Sequence, residues 1–442
     1  MAKDVVLVLK KFGIIADDLT GANDSGVQLA KKGLTATVVM DITEKNIQSN
    51  PDVLIVDTDS RAKTQEEAYE AVEKAASLLF EQGYGHVYKK VDSTLRGNIP
   101  AELAALEKVY LPDIIVIAPA FPKMNRTTVS GHHYVNGVLI TDTEFGRDPK
   151  TPVTESYLPD MLKKRAGKDS ALLDLQLLRG EKNLILEFIE KAISEGKKWI
   201  VCDSEREEDL QAIAEIFSSL QKKIIWTGSG ALVEYLPEAL ELTSQCESDQ
   251  VEVTVEKTLT ISGSLSQVTK KQLSQIKELE QSYFAEIDPV QLVNNTIDMK
   301  EFIGGMKQNL DKDHFVVYVD SSDRNRQAAR AAGEALCLSG KEIGERIATG
   351  LGQIANELVT RFPEMNGLIL TGGDIAKAAC LELGIHEMEL HSEVEPGLPF
   401  GRLCSKDKNY WAVTKAGGFG NEQSLVNAIH YMTRKVEYNE SN

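Results

Sequence analysis

The feature that most constrains the fold of this chain is the alternation of short β-rich runs with amphipathic stretches. In the first half, apolar runs such as 12–16, 53–56 and 114–118 are separated by segments with helical periodicity, such as 64–82 and 180–195. Strands that alternate with helices predict a parallel, doubly wound sheet. The alternation resumes in the second half, so we predict two α/β domains with mainly parallel sheets and an active-site cleft between them.

The length of the chain also predicts two domains. Its 442 residues exceed the roughly 250 to 300 residues at which a single hydrophobic core stops growing. From 241 to 256 the sequence becomes polar and acidic, and a new β-rich run then begins at 258. We therefore predict an N-terminal domain at 1–242, a linker at 243–257 and a C-terminal domain at 258–442.

Charge and hydropathy exclude several classes of partner. The net charge of -18 argues against a nucleic-acid partner, because such a protein needs a basic face. No apolar run approaches the roughly 18 residues of a membrane span, and residues 1–11 lack the pattern of a signal peptide. We therefore expect a cytoplasmic protein that binds no membrane. Its five cysteines are scattered without a C-x-x-C pair, which predicts reduced thiols.

Polar and charged residues follow three of the predicted strands. Asp17 and Asp18 come directly after the first strand, and the segments 57–61 and 89–98 follow two later ones. Parallel strands bring their carboxyl ends to one edge of the sheet, which is where open α/β sheets bind ligands. We expect these three segments to form one binding site, although any one of them alone could be a solvated loop.

The residue types in this cluster suit a polyhydroxy acid. An aspartate can accept the proton of a hydroxyl, while the planar fork of Arg61 matches a carboxylate. Lys90 adds a compact charge, and Asp92 and Ser93 can bind substrate hydroxyls. The alternative for Asp18 is that it only caps the following helix.

The irregular segment 121–159 interrupts the alternation with several proline and glycine residues. It predicts a long loop, which could be a lid over the substrate or an ordinary surface loop.

The second half is marked by glycine clusters at 262–264, 350–352, 371–374, 396–401 and 415–420. Glycine lets the backbone approach phosphate closely, and successive N–H groups bind anions. The segment 371–374 is the strongest candidate because it lies between a predicted strand and a predicted helix, although it could be only a tight turn. Asp374, within this segment, and Glu393 are the carboxylates we place near Mg²⁺.

The cluster at 350–352 also satisfies G-x-G-x-x-[GA], a dinucleotide-binding fingerprint that would indicate a dehydrogenase. That fingerprint requires a preceding strand, whereas 340–349 has a helical pattern. The chain also lacks G-x-x-x-x-G-K-[ST] and the protein-kinase motifs, which excludes two common phosphotransferase classes.

Six short motifs together resemble the four-carbon acid sugar kinase family. In chain order they are ADDLTGAND (16–24), DTDSR (57–61), KKVDSTLRGN (89–98), APAFP (118–122), TGGD (371–374) and KAGGFG (415–420). The resemblance runs through nearly the whole chain. It implies an N-terminal domain that binds the sugar acid and a C-terminal domain that binds ATP, with Mg²⁺-assisted phosphorylation of the 4-hydroxyl.

The resemblance also implies roles for individual residues. Asp17 or Asp18 is the catalytic base. The substrate contacts are Asp17, Asp18, Arg61, Lys90, Val91, Asp92, Ser93 and Arg96. The ATP contacts are Ser262, Ser264, Gly350, Thr371, Gly372, Gly373, Asp374, Gly417 and Gly418. In TGGD an aspartate stands where many relatives carry glutamate.

The opening motif is closer to the D-threonate and D-erythronate branch of this family than to the 3-oxo-tetronate branch. A 3-oxo-tetronate 4-kinase therefore remains an alternative substrate assignment. A protein that senses a sugar acid or nucleotide without turnover is the alternative from another class. A homodimer is expected only because dimers are the commonest oligomers.

Overall fold

A computed structural model describes the chain at residues 11–42, 49–148, 150–244, 253–263, 266–404 and 408–433. The chain divides into two compact units, 1–248 and 249–442. None of the helices in these described ranges is long and apolar enough to span a bilayer.

Strands of the N-terminal unit are β1 (Phe12–Ala16), β2 (Ala36–Val39), β3 (Val53–Asp57), β4 (His86–Lys90), β5 (Ile114–Ala118), β6 (Arg126–Val129), β7 (His132–Val135), β8 (Val138–Leu139), β9 (Ser170–Leu173), β10 (Trp199–Cys202) and β11 (Ile224–Gly228). Its helices are α1 (Leu19–Lys31), α2 (Gln65–Glu81), α3 (Ile99–Tyr110), α4 (Leu158–Ala166), α5 (Leu175–Leu178), α6 (Lys182–Ser194), α7 (Glu207–Ser218) and α8 (Leu236–Ala239). Short 3₁₀ segments lie at Pro122–Met124, Ile140–Asp142, Glu144–Arg147 and Leu232–Tyr235.

The main sheet of this unit has the strand order β2-β3-β1-β4-β11-β5-β10-β9, and its neighbouring strands are parallel. Strands such as β1, β3 and β5 are buried along their whole length, which explains why they read as continuous apolar runs rather than alternating ones. The prediction of a mainly parallel α/β sheet is confirmed. Because all these strands point the same way, their carboxyl ends share one edge.

Helix α2 shows how local sequence sets an element. Thr64 and Glu67 form a capping box, in which each side chain accepts a hydrogen bond from the other's backbone N–H. The buried residues of the helix recur at the spacing of one face, and they are Ala68, Val72, Ala75, Ala76 and Leu79. This face packs into the core of the unit.

The segment 121–159 is only partly the irregular loop that its sequence predicts. Strands β6, β7 and β8 form a small antiparallel sheet within it. These strands have two to four residues and are mostly only partly buried, so they leave no clear alternation in the sequence.

Strands of the C-terminal unit are β12 (Thr258–Ser262), β13 (Ser282–Glu286), β14 (His314–Tyr318), β15 (Gly367–Thr371), β16 (Glu387–Glu393), β17 (Pro399–Cys404) and β18 (Asn409–Lys415). Its helices are α9 (Gln267–Lys277), α10 (Pro289–Asn294), α11 (Met299–Lys307), α12 (Asp323–Ala335), α13 (Gly340–Arg361), α14 (Gly373–Glu382) and α15 (Ser424–Thr433).

In this unit β13-β14-β12-β15-β18 are parallel in that order, and β17 and β16 continue the sheet in antiparallel fashion. A core cluster of this unit is built from residues of β14, β15, β17 and β18 together with α9 and α15. The five parallel strands again present their carboxyl ends at a single edge.

Candidate active site

The N-terminal unit brings the three polar segments together. Ala16, the last residue of β1, lies opposite Asp57 of β3 on one side and Lys90 of β4 on the other. The backbone then folds inward, since the N–H groups of Ser60 and Arg61 both donate to the carbonyl oxygen of Asp17 at 3.0 and 3.2 Å.

The guanidinium of Arg61 binds both aspartates. Its Nε and Nη2 donate to the two carboxylate oxygens of Asp17 at 2.8 and 2.9 Å, and its Nη1 donates to Oδ2 of Asp18 at 2.7 Å. The fork that we expected to bind a substrate carboxylate therefore orients the two acids of the protein itself. This bidentate geometry fixes the Asp17 side chain in one position.

Asp18 also caps α1, because its Oδ1 accepts a hydrogen bond from the N–H of Gly21 at 2.9 Å. Asp18 therefore caps the helix with one carboxylate oxygen, while the other accepts from Arg61. A Cβ at Gly21 would lie 2.7 Å from Asp18 Oδ1 and 2.8 Å from Lys90 Nζ. Only glycine allows this close approach of helix, acid and lysine.

The two aspartates differ in exposure and in pKa. Asp17 is buried, whereas the side chain of Asp18 is 29% exposed. Burial alone would raise the pKa of Asp17, but the charge and hydrogen bonds of Arg61, with Lys89 and Lys90, lower it below its usual value. Burial and the charge of Asp17 together raise the pKa of Asp18 despite Arg61. Asp18 is thus the accessible carboxylate with the higher proton affinity.

The segment after β4 surrounds this pair. Lys90 Nζ donates to the carbonyl of Val91 at 3.0 Å, and Val91 is buried with its N–H bound to Gly228. Ser93 offers its carbonyl oxygen to Nε2 of His133 at 2.9 Å.

Asp92 lies further along the same segment and is held by its neighbours. Its Oδ2 accepts from Thr94 Oγ1 and from Arg96 Nε, each at 2.5 Å. Burial opposes ionisation of Asp92, but Arg61 and Arg96 lower its pKa well below the usual range. Arg96 is partly exposed and lies 5.5 Å from the ring of Phe145.

Three residues to which the sequence reasoning gave no role of their own support the site. Lys89 and Glu102 are fully buried with Nζ and Oε2 3.2 Å apart, and the hydroxyl of Ser60 donates to the other oxygen of Glu102. The charge of Lys89 also lowers the pKa of Asp17. The only sequence signal was that successive side chains of a strand point to opposite faces of the sheet. Lys89 must therefore point to the face opposite Lys90.

Arg126, on β6 within the segment 121–159, is a further cation near these residues. Its Nε is buried without a hydrogen-bond partner among the described residues, and its charge interacts with Asp92 and Arg96.

In the C-terminal unit, motif residues end three adjacent strands in register. Ser262 of β12 lies opposite Tyr318 of β14 and Thr371 of β15, and Thr371 lies opposite Lys415 of β18. Gly372 follows with a φ of +100°, and its N–H donates to the carbonyl of Lys415 at 2.7 Å. This left-handed conformation strongly favours glycine and turns the chain directly into α14.

Lys415 organises the loop that contains Gly417 and Gly418. Its Nζ donates to the carbonyls of Ala416 and Gly417 at 2.9 and 3.3 Å, and burial lowers its pKa to about 8. Gly417 also accepts a hydrogen bond from Thr269 of α9. Gly418 is exposed, and a Cβ there would meet no atom within 4 Å.

Two of the predicted nucleotide residues, Gly350 and Ser264, lie away from this strand edge or outside the described residues. Gly350 lies inside α13, where a Cβ would lie 2.6 Å from Leu292, so it serves helix packing there. The helical pattern at 340–349 is confirmed, so the dinucleotide fingerprint has no strand before it. Asp374 is exposed in the first turn of α14, and Ser264 lies outside the described residues.

No group of three or more metal-ligating side chains occurs among the described residues. Mg²⁺ usually takes only one or two carboxylates together with phosphate oxygens and waters, so such a site does not require three protein ligands.

Comparisons with known proteins agree with this division of the chain. A sequence profile described as a sugar-binding N-terminal domain matches residues 12–236, and one described as a nucleotide-binding C-terminal domain matches 259–425. The D-threonate kinase of Salmonella typhimurium is 33% identical over 96% of this chain and 98% of its own. The D-erythronate kinase of Heliobacterium modesticaldum is 30% identical, with 96% and 97% covered.

A 3-oxo-tetronate kinase from Actinobacillus succinogenes is 28% identical over 93% of this chain and 97% of its own. A crystal structure of a Haemophilus influenzae protein superposes with a TM-score of 0.77 at 23% identity, covering 95% of this chain and 100% of that one, which supports the fold. The chain therefore belongs to the four-carbon acid sugar kinase family, which joins a sugar-binding N-terminal domain to a nucleotide-binding C-terminal domain.

Proposed function

We propose that the protein transfers the terminal phosphate of ATP to the 4-hydroxyl of D-threonate or D-erythronate. Relatives with these two activities are 33% and 30% identical to the chain. The observation that carries the proposal is the partly exposed Asp18 carboxylate at the strand edge, fixed by Arg61 and placed beside Lys90.

Asp18 is the general base in this mechanism. A base must be ionised and must reach the substrate hydroxyl, and Asp18 is accessible whereas Asp17 is buried and bound on both oxygens. The raised pKa of Asp18 increases its proton affinity relative to an ordinary aspartate. Arg61 and the N–H of Gly21 keep its carboxylate in a single orientation.

The sugar acid carries a carboxylate that must be neutralised. Because Arg61 is already bound by Asp17 and Asp18, we assign this task to Lys90 and Arg96. Arg126 adds a further positive charge near Arg96. Lys90 is a compact ammonium with three donors, and Arg96 presents its guanidinium partly to solvent. Arg61 then acts mainly by positioning the two aspartates.

The C-terminal edge binds the triphosphate of ATP. We propose that the N–H groups at the start of α14, after Gly372, the loop of Gly417 and Gly418, and Ser262 at the end of β12 contact phosphate oxygens. Asp374 is the carboxylate we assign to Mg²⁺, which would neutralise phosphate charge when bound. The protein groups orient the phosphates, and Asp18 removes the hydroxyl proton.

The test is ATP consumption with Mg²⁺ across D-threonate, D-erythronate, L-threonate and 3-oxo-tetronates, with the phosphorylated carbon located by ³¹P-coupled NMR. We expect turnover of D-threonate or D-erythronate at C4. The variant Asp18→Asn should lose activity, whereas Asp59→Asn should keep it, because Asp59 is exposed at the same edge with a φ of +47° that asparagine tolerates.

Preferred turnover of a 3-oxo-tetronate would move the protein to the other branch of the family. Binding of acid and ATP by calorimetry without turnover of any acid would instead support a sensor and contradict the proposal.

A further inference from the structure

The small antiparallel sheet of the N-terminal unit makes a buried contact with the segment 89–98. His133, on β7, is 0% exposed and lies directly opposite Thr128 of β6. Directly opposite residues of paired strands place their side chains on the same face of a sheet. The imidazole therefore lies between Thr128 and the segment 89–98, and each of its two nitrogen atoms is within hydrogen-bond distance of an oxygen atom.

The partners of His133 determine which ring nitrogen carries the proton. Nε2 lies 2.9 Å from the carbonyl oxygen of Ser93, which can only accept a hydrogen bond, so Nε2 must donate. Burial lowers the pKa of the ring to about 4, so near neutral pH the ring is uncharged and Nδ1 carries no proton. Nδ1 then accepts from the hydroxyl of Thr128 at 3.0 Å. The ring is thus held in a single tautomer and a single orientation.

The backbone that carries the ring is also held on both sides. The N–H of His133 donates to the carbonyl of Ser156 at 2.9 Å, and Thr128 exchanges two hydrogen bonds of 2.9 Å with Ser204. Ser204 comes just after β10 of the main sheet. The small sheet therefore fixes the position of the Nε2 donor relative to the main sheet.

Ser93 lies between two fixed points of the segment 89–98. Before it, the N–H of Val91 donates to the carbonyl of Gly228 at 2.9 Å, and at Ser93 itself the carbonyl is bound by His133. Ser93 is only partly buried, and neither its hydroxyl nor its N–H has a hydrogen-bond partner in the part of the chain that the structure describes. These two groups can therefore bind another molecule, whereas the carbonyl is already bound.

We propose that His133 is a positioning residue for the sugar acid, and that it holds the Ser93 carbonyl so that the hydroxyl and N–H of Ser93 face a hydroxyl of the acid. The inference rests on the proposed kinase function, in which the segment 89–98 binds the acid. With the carbonyl fixed, the Ser93 hydroxyl keeps only the staggered positions of its own side chain. His133 is fully buried with both nitrogen atoms bound, so it acts through Ser93 and does not touch the acid itself.

Two substitutions of His133 separate the hydrogen bond from the volume of the side chain. His133→Gln keeps a nitrogen donor of similar reach, whereas His133→Leu keeps an apolar side chain of similar size without a donor. His132→Leu is the matched control on the same strand, because the His132 ring packs on Tyr157 and its buried Nδ1 has no hydrogen-bond partner among the described residues. The readouts are the Kd of acid and of ATP by calorimetry, together with KM and kcat, for D-threonate and D-erythronate.

We expect His133→Leu to raise the Kd and KM of the acid about tenfold or more, with the Kd of ATP within about twofold of the wild type. His133→Gln and His132→Leu should both keep the acid affinity within about threefold of the wild type. A merely structural role would lower the folded fraction, and hence kcat, at unchanged acid affinity. Wild-type acid affinity in folded His133→Leu, or an equal loss in His133→Gln, would overturn the proposal.

A measurement on the wild-type protein covers the case in which His133→Leu does not fold. In ¹⁵N NMR of protein labelled at histidine, the His133 signals are those lost in His133→Gln, and they should show the Nε2–H tautomer. D-threonate or D-erythronate should shift these signals, whereas ATP alone should not. An Nδ1–H tautomer, or signals that do not respond to the acid, would overturn the positioning role. A wild-type protein that binds an acid but phosphorylates none would contradict the proposed function, and the affinity for that acid would still decide the role of His133.

Discussion

At the scale of single residues, Asp18 combines a structural and a chemical task. One carboxylate oxygen caps α1 through Gly21, and the other is bound by Arg61. The residue is therefore fixed before any substrate arrives, so little reorganisation is needed when a hydroxyl binds. A base held in this way is expected to be sensitive to small changes in its partners.

The first prediction concerns the pH dependence of catalysis. Asp18→Asn should lower kcat by about 10²–10⁴ because the proton acceptor is lost. In the wild type, kcat/KM should fall as the pH drops through the Asp18 pKa, which lies above the usual 3.8. Arg61→Lys removes the fork that favours the ionised form, so it should move this acidic limb to higher pH.

The pH–rate profile of each variant measures this prediction, with Asp59→Asn as the control. An acidic limb that stays in place in Arg61→Lys would show that another group is the base.

His133 supports a second prediction, on stability. Burial lowers its pKa to about 4, although Ser93 accepts from its Nε2. Between its ordinary pKa of 6.5 and about 4, the unfolded chain binds a proton that the folded chain does not. Stability of the N-terminal unit should therefore decrease as the pH falls through this window, by up to about 3 kcal/mol.

Urea unfolding between pH 7 and 4.5 tests this, followed by the fluorescence of buried Trp199 and Trp226 in a Trp411→Phe background. His133→Gln should flatten the pH dependence, whereas His430→Gln, at an exposed site in the other unit, should not. Equal slopes in wild type and His133→Gln would contradict the assignment.

At the scale of elements, the buried ion pair between β4 and α3 supports the active-site edge. Glu102→Gln would leave the Lys89 charge buried without its carboxylate, which costs about 3–5 kcal/mol. The pair of exposed Lys108 and partly exposed Glu73 is the matched control, and Glu73→Gln should cost much less. Chemical denaturation of both variants measures the difference, and equal costs would mean that Lys89 is already compensated by other groups.

Sequence reasoning predicts which segments meet at the ends of the strands. It does not predict the contacts that depend on the direction of a side chain. The three polar segments of the N-terminal unit meet because parallel strands must share an edge, and this required only the order of strands and helices. The use of Arg61 could not be predicted, because its fork matches a carboxylate from either the substrate or Asp17. Gly350 was placed with phosphate by its motif, whereas its place inside α13 depends on the neighbouring Leu292.

Neither the small sheet β6-β7-β8 nor the cavity beside α13, which α12 also lines, could be predicted from the sequence. The strands of the sheet are too short to show a period of two. The cavity depends on how α12 and α13 pack, and glycine in a helix indicates equally well a close contact, as at Gly333, or open space, as at Gly344.

At the scale of the whole molecule, the assignment of one ligand to each unit predicts separate patterns of protection. D-threonate or D-erythronate should slow amide hydrogen exchange at 17–21 and 89–97, and ATP should slow it at 371–376 and 415–420. Mass spectrometry of peptides from the intact protein resolves these segments. Protection of the N-terminal segments by ATP alone, with none in the C-terminal segments, would contradict the assignment.

The strand order of the N-terminal sheet has a consequence for how the protein is made. β11 lies between β4 and β5, yet it comes more than a hundred residues after either of them. At about 5–20 residues per second, a ribosome needs roughly 10 to 50 s to reach β11. Until then β4 and β5 lack the neighbour that completes the centre of the sheet, so their edges are open to incorrect pairing. Nascent chains that stop before residue 224 should therefore depend more on chaperones than chains that include β11.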